Sequence, residues 1–217
     1  MIALGVLVSG NGTNLQTILD ASLAQKLNAR VAVVVSNKAG AGGVERAARA
    51  GVPCVVLDHK AYAGREAFDA AVVEVLRAHG VEWVVLAGFM RIVTRVLLDA
   101  YAMRVINIHP ALLPSFPGVD AQRQALEYGV RVTGCTVHFV DAGTDTGPII
   151  AQRAVPVLKG DDVDSLRARL LIEEHALLLE VLGWIAEGRV HVVPGELARR
   201  PRVMVSDEAT REGEPLR

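Results

Sequence analysis

The sequence predicts an α/β fold in a single domain: a mostly parallel twisted sheet with helices on both faces and a late antiparallel strand. Three observations carry that prediction. Near-continuous apolar runs such as Ile2-Ala3-Leu4-Gly5-Val6-Leu7-Val8 suit parallel strands buried on both faces. Such runs alternate along the chain with segments of helical periodicity. Clusters of Gly, Pro, Asn and Asp mark the joints between them. With 217 residues and 51% hydrophobic content, the chain can bury a sizeable core as one domain, and it shows no internal repeat or dividing linker.

The elements follow in order. The apolar run 2–8 is the first strand, and the loop Ser9-Gly10-Asn11-Gly12-Thr13-Asn14 leads into a helix near 14–25. The β-branched run 30–36 is the second strand, followed by a helix at 43–50. Strands at 54–57 and 83–87 flank a helix at 65–79. A helix at 94–100 leads to a strand at 104–108, whose pairing must stop near His109 because Pro110 has no N–H to donate. A helix at 121–128, strands at 133–140 and about 149–157, and a long helix over 163–187 complete the pattern. The Gly147-Pro148 connection is too short for a parallel crossover, so the last of these strands should pair antiparallel. Residues 1–193 are expected to form the domain and 194–217 a C-terminal extension, polar and loose over 206–217.

Charge and composition narrow the partners. The 23 basic and 24 acidic residues leave a formal net charge of -1, so no broad field favours nucleic acid or a membrane surface. An anionic substrate must therefore be met by local donors. Cys54 and Cys135 are too few and too far apart for a disulfide framework or a zinc site, and read as small apolar strand residues in a reducing compartment. The chain opens without a basic leader or cleavage pattern, and no apolar run reaches the roughly 18 residues of a spanning helix, so a cytoplasmic location is expected.

Three segments carry chemistry. Asn107 and His109 lie two apart on a strand and so project to one face, offering an amide donor and a titrating group to one substrate atom. Without further information, a turn cap and a satisfied half-buried histidine would explain them as well. The loop Asp141-Ala142-Gly143-Thr144-Asp145 follows the next strand. If carboxyl-end loops share a crevice, Asp145 can reach His109 and raise its pKa towards neutrality. Ordinary turn chemistry is the alternative for both acids. The glycine loop 9–14 before a helix can turn backbone N–H groups toward an anion such as phosphate, although it matches neither the dinucleotide nor the Walker pattern. A tight turn would also account for it. His138 alternates with Cys135, Val137 and Phe139 and belongs near the site or in the core, while His59, His79, His175 and His191 lack metal-ligand spacing.

Taken together, SGNGTNLQ (9–16), VSNKAGAGGVERA (35–47), VVLAGFMRI (84–92), INIHPALLPSFPG (106–118) and GCTVHFVDAGTDTGPII (134–150) resemble the folate-dependent phosphoribosylglycinamide formyltransferases, over residues 2 to about 193. The INIHPALLP segment with Asp145 is shared with other formyl-folate enzymes and specifies the chemistry, whereas the SGNGTNLQ loop specifies the acceptor.

The resemblance implies a Rossmann-like formyltransferase fold and transfer of formyl from 10-formyltetrahydrofolate, a co-substrate, to the amine of glycinamide ribonucleotide. It implies no metal. Asn107 and a protonated His109 would stabilise the oxyanion, with Asp145 tuning His109 and ordering a water. Gly12, Thr13 and Asn14 would hold the phosphate, and Glu174 the ribose hydroxyls or glycinamide end, with neighbouring Glu173 solvated. Asn107 and main-chain groups of Met90, Arg91, Ile92, Val93 and of Asp141, Ala142, Gly143, Thr144 and Asp145 would face the folate, and Arg65 its tail carboxylates. One departure is Asp120-Ala121-Gln122, where relatives often have histidines, so no histidine contact is expected from that loop. Partners are small molecules only, with the chain a monomer or homodimer. A 10-formyltetrahydrofolate hydrolase and a non-catalytic folate or nucleotide binder remain the alternatives.

Overall fold

Strand β1 (Ile2–Val8) is buried along its whole length except for Ile2 at its start, as its two-sided apolar sequence requires. In the computed structural model, which describes residues 1–194 and 201–207, β1 lies inside a seven-stranded sheet. With β2 (Ala29–Ser36), β3 (Cys54–Val56), β4 (Trp83–Leu86), β5 (Val105–His109), β6 (Val132–Phe139) and β7 (Ile149–Pro156), the order is β3-β2-β1-β4-β5-β6-β7. Strands β1 to β5 pair in parallel. The expected antiparallel pairing of β7 with β6 is present, and β6 is itself antiparallel to β5, so the strand that opposes the others is β6.

The helices are α1 (Thr13–Leu23), α2 (Gly42–Arg49), α3 (Arg65–Ala78), α4 (Arg95–Ala100), α5 (Ala121–Tyr128) and α6 (Val163–Ala186). Strand periodicity divides the core between the two sheet faces. Leu4, Val6 and Val8 of β1 join Leu15 and Ile18 of α1 and Leu177, Leu178 and Val181 of α6 in one cluster. Ala3 and Leu7 point the other way, to Phe68, Val72 and Leu76 of α3 and Leu97 of α4. Helix α6 begins at a capping box, in which the Asp162 side chain accepts from Ser165 N at 2.8 Å and Ser165 Oγ accepts from Asp162 N at 3.0 Å.

Two short strands were not anticipated: β8 (Val190–Val193) and β9 (Arg202–Val205) pair antiparallel as a separate ribbon. Four residues are too few for an alternating pattern to stand out beside a polar tail. In the structure Val190, Val203 and Val205 pack against the α1–α6 side of the core, and Arg189 Nε donates to Ser206 O at 2.6 Å. The loose end expected at 206–217 lies, from 208 onward, outside the described residues. Among the described residues, no helix is long and apolar enough to cross a membrane.

Gly134 of β6 is a point where sheet packing permits no side chain. A Cβ there would strike the Arg153 carbonyl of β7 and stand 2.7 Å from Leu112 Cδ2. Gly134→Ala is expected to destabilise the fold by about 1–3 kcal/mol in urea denaturation, as overpacking does. An unchanged midpoint would mean that β7 moves aside freely.

Candidate active site

On the face turned to the α3–α4 side, β5 begins with the apolar Val105 and continues with polar residues, which the polar Thr136 and His138 of β6 adjoin. Asn107 and His109 point there together, as their spacing predicts. The antiparallel register sets His138 opposite Asn107 and Thr136 opposite His109. Thr136 Oγ1 donates to Ala111 O at 2.6 Å and accepts from Leu113 N at 3.1 Å and Gln152 Nε2 at 3.0 Å. The turn that leaves β5 at Pro110 is thereby fastened to β6 and β7. Beyond that turn the Phe116 carbonyl accepts from His109 Nε2 at 2.8 Å.

Asp145 completes the cluster by a different route from the one expected. Because β6 runs against β5, its carboxyl end at Phe139 lies opposite Ile106, near the amino end of β5, and the two strands share no carboxyl edge. The connecting loop instead doubles back over the sheet. Its ends are drawn together by Phe139 N donating to Pro148 O at 2.9 Å, and Gly147 lies against the Phe139 carbonyl so closely that no Cβ fits. Asp145 itself adopts a left-handed conformation with φ 53. Its Oδ2 accepts from Gly118 N at 2.7 Å and lies 3.4 Å from His109 Nδ1, and its Oδ1 is 3.4 Å from Asn107 Nδ2 and 3.6 Å from His138 Nε2.

Both His109 nitrogens therefore face acceptors, which favours the doubly protonated ring. Burial opposes it and is the larger influence, holding the His109 pKa below the ordinary histidine value against the upward pull of Phe116 O and Asp145. Asp145 pulls the His109 pKa upward as expected, and desolvation outweighs that pull. For Asp145 burial is again the largest single influence and would raise the pKa, but its contacts with His138, the Gly118 N–H and His109 outweigh it and hold the carboxyl below its usual range. His138 Nδ1 lies 2.8 Å from Phe139 O, to which it donates, and its Nε2 lies 3.2 Å from Asn107 Nδ2 and 3.6 Å from Asp145 Oδ1.

These side chains open onto a cavity of about 530 Å³. Met90, Arg91, Ile92 and Val93 line one side, and Asp141, Gly143, Thr144 and Asp145 another. Ala142 and Arg65 are not among the lining residues, and Arg65 is exposed at the start of α3. Thr13 and Asn14 reach the cavity from the first turn of α1, whereas Gly12 does not line it. Gly12 supplies the left-handed N-cap of α1 at φ 74, and a Cβ on it would come within 2.7 Å of Gly43 Cα. The loop thus packs closely on α2, where Arg46 Nε also donates to Asn11 O at 2.8 Å.

Glu174 enters from α6, only 6% exposed, and accepts from Asn14 Nδ2 at 3.1 Å. Burial pushes its carboxyl pKa up, and Asn14 Oδ1 is buried with no partner among the described residues. Glu173, by contrast, turns outward to Arg153 at 3.1 Å. Of the departing segment 120–122, Asp120 and Gln122 also line the cavity.

Three buried polar residues that the sequence reading passed over position the Met90 wall. Ser9 Oγ accepts from Met90 N at 2.9 Å and donates to Asn37 Oδ1 at 2.6 Å. Asp69 of α3 accepts from Thr94 N at 2.5 Å at the other end of the segment, and Arg91 lies 4.7 Å over the Phe68 ring. The helical pattern around Asp69 carries no sign that a carboxylate faces inward.

Two outcomes are expected. Glu174→Gln keeps the shape, removes a buried charge and supplies a donor for Asn14 Oδ1, so the protein should gain about 1–2 kcal/mol at pH 8 in urea denaturation. The sign follows from the raised pKa: stability from Glu174 is present below its unfolded value and lost as pH rises through the folded one. A less stable variant at pH 8 would contradict this. Asp145→Asn removes an upward pull on His109, so its imidazole should titrate at still lower pH by NMR. An unchanged titration would show that Asp145 does not tune the ring.

Comparison with known proteins places these features in context. Residues 3–182 match the formyl transferase family model. Phosphoribosylglycinamide formyltransferase of Escherichia coli is 46% identical over 185 residues, which cover 85% of this chain and 87% of that protein. The trifunctional purine biosynthetic protein adenosine-3 of Drosophila pseudoobscura pseudoobscura is 47% identical over 190 residues, 87% of this chain but 14% of that protein, so the chain spans a small part of these longer relatives. The crystal structure of glycinamide ribonucleotide transformylase 1 from Symbiobacterium toebii superposes with a TM-score of 0.90 at 55% identity, covering 95% of each chain.

Proposed function

The chain belongs to the formyl transferase family, and on that premise we propose that it transfers the formyl group of 10-formyltetrahydrofolate to the amine of glycinamide ribonucleotide. The products are formylglycinamide ribonucleotide and tetrahydrofolate, in the de novo route to purines. The observation that carries the reading is one cavity floored by Asn107, His109 and Asp145 and reaching Thr13, Asn14 and Glu174 at its far side. Acyl transfer needs the two substrates held together in such a space.

In this reading the folate lies along Asn107, the 90–93 segment and the 141–145 loop, with its tail toward Arg65, and the ribonucleotide lies against the loop 12–14 and Glu174. The amine nitrogen attacks the formyl carbon, and negative charge collects on the formyl oxygen. Asn107 Nδ2 rests on long contacts to His138 and Asp145, and a developing oxyanion replaces them as its acceptor. His109 Nδ1 accepts the proton shed by the attacking nitrogen, directly or through a water held by Asp145. Protonation turns the 3.4 Å contact with the carboxylate into an attraction, and the imidazolium then supports the oxyanion. Collapse breaks the bond from the formyl carbon to the folate nitrogen, which takes the proton. The chemistry belongs to residues 1–193, with 194–217 an extension outside it, and the protein acts in the cytoplasm as a monomer or homodimer.

The test is tetrahydrofolate release from 10-formyltetrahydrofolate with and without glycinamide ribonucleotide. Release that requires the ribonucleotide supports transfer, release that ignores it indicates hydrolysis, and binding without release indicates a carrier. Asn107→Ala and His109→Ala should each lower kcat on the order of a hundredfold to a thousandfold, with smaller effects on KM. Near-normal turnover in a folded variant would remove that residue from the mechanism.

A further inference from the structure

A ribonucleotide phosphate carries close to two negative charges at neutral pH, yet the loop Asn11-Gly12-Thr13-Asn14 contributes neutral side chains only, and Arg46 beside it is already engaged by Asn11 and Gln16 and does not line the cavity. The amino end of α1 adds no more than about half an elementary charge. The arginines that line the cavity are Arg91 and Arg167. Arg91 stands over the Phe68 ring on the wall formed by the 90–93 segment. Arg167 lies on α6 with Leu171 and Glu174, and all three line the cavity at the spacing of a single helical stripe. Two turns, about 10 Å along the axis, separate Arg167 from Glu174. The Asn14–Glu174 hydrogen bond joins this stripe to the first turn of α1, where Asn14 Oδ1 is buried with no partner among the described residues.

We propose that Arg167 is the cation that binds the phosphate of the ribonucleotide, so that acceptor recognition rests on α6 as well as on the glycine loop. This inference rests on the proposed transfer reaction. In the structure Arg167 Nη1 meets Asp164 Oδ1 at 3.0 Å, with the two side chains 50% and 88% exposed. An exposed pair within one helix is weak, and a phosphate offers the guanidinium a doubly charged, bidentate acceptor in its place. Arg167 lines the cavity from near the amino end of α6.

The experiment compares Arg167→Gln and Arg167→Lys with the wild type on glycinamide ribonucleotide, on the phosphate-free glycinamide riboside, and on inhibition by ribose 5-phosphate. In Arg167→Gln the KM for the ribonucleotide and the inhibition constant of ribose 5-phosphate should rise on the order of tenfold to a hundredfold, the loss expected for one charge-assisted contact. The Lys variant should recover part of this, and the folate KM should stay unchanged, which also verifies folding. Kinetics with the riboside should be alike in all three proteins. Unchanged ribonucleotide KM, or an equal rise for ribonucleotide and riboside, overturns the assignment. Absence of ribonucleotide-dependent turnover in the wild type instead overturns the transfer reaction itself, while ribose 5-phosphate binding still decides the role of Arg167.

Discussion

The Asp145 carboxylate is where four segments of the chain meet, and the geometry of the site depends on its staying ionised there. It takes the Gly118 N–H at 2.7 Å, lies beside Asn107 and His109 of β5, and lies beside His138 of β6. Its hold on Gly118 fixes the same segment whose Phe116 carbonyl orients the His109 ring. The left-handed backbone at Asp145 and the closed base of its loop at Phe139 and Pro148 are what deliver the carboxylate to that position. Because the neighbouring donors are largely buried, a displaced carboxylate would leave several polar groups unsatisfied at once.

Burial acts on the other two titrating groups in opposite directions for one physical reason. Water removed from around a charge is not replaced in full, so the His109 pKa falls and the Glu174 pKa rises. Both shifts run toward the uncharged form, so burial opposes a positive His109 and a negative Glu174 alike. A neutral imidazole backed by a carboxylate is set up to take a proton from an amine rather than to hold one in advance. Keeping Glu174 buried costs stability when it is charged, which is why its amide variant should be the more stable protein.

The cavity walls are less autonomous than their loop sequences imply. Ser9 at the end of β1 supports Met90 N, Asn37 at the end of β2 supports Ser9, and Asp69 in α3 supports Thr94 N. Buried polar side chains from three elements thus stretch the 88–94 segment along the rim. On the opposite side α6 carries Arg167, Leu171 and Glu174 to the same space, and its capping box sets where that helix begins. The glycine loop and the Met90 wall share a single polar scaffold, since Ser9 adjoins both.

Much of the fold was legible in the sequence. Strands buried on both faces have to be apolar throughout, and helices covering them have to repeat every third or fourth residue, so β1 to β7 and α1 to α6 announce themselves locally. The pairing of Asn107 with His109 was equally legible, because side chains two apart on a strand must share a face. What the chain could not disclose are relations between distant segments. The reversal of β6 decides that His138 stands beside Asn107 and that Asp145 arrives by a fold-back, and burial decides that His109 rests below its ordinary pKa. Asp69, Asn37 and Arg167 look like ordinary surface or loop residues until their surroundings are assembled. Sequence by itself determined the elements and the chemical groups available, since these follow from local periodicity and residue type. Distance, register and desolvation came only with the tertiary structure, because each depends on which other part of the chain excludes water from a given atom.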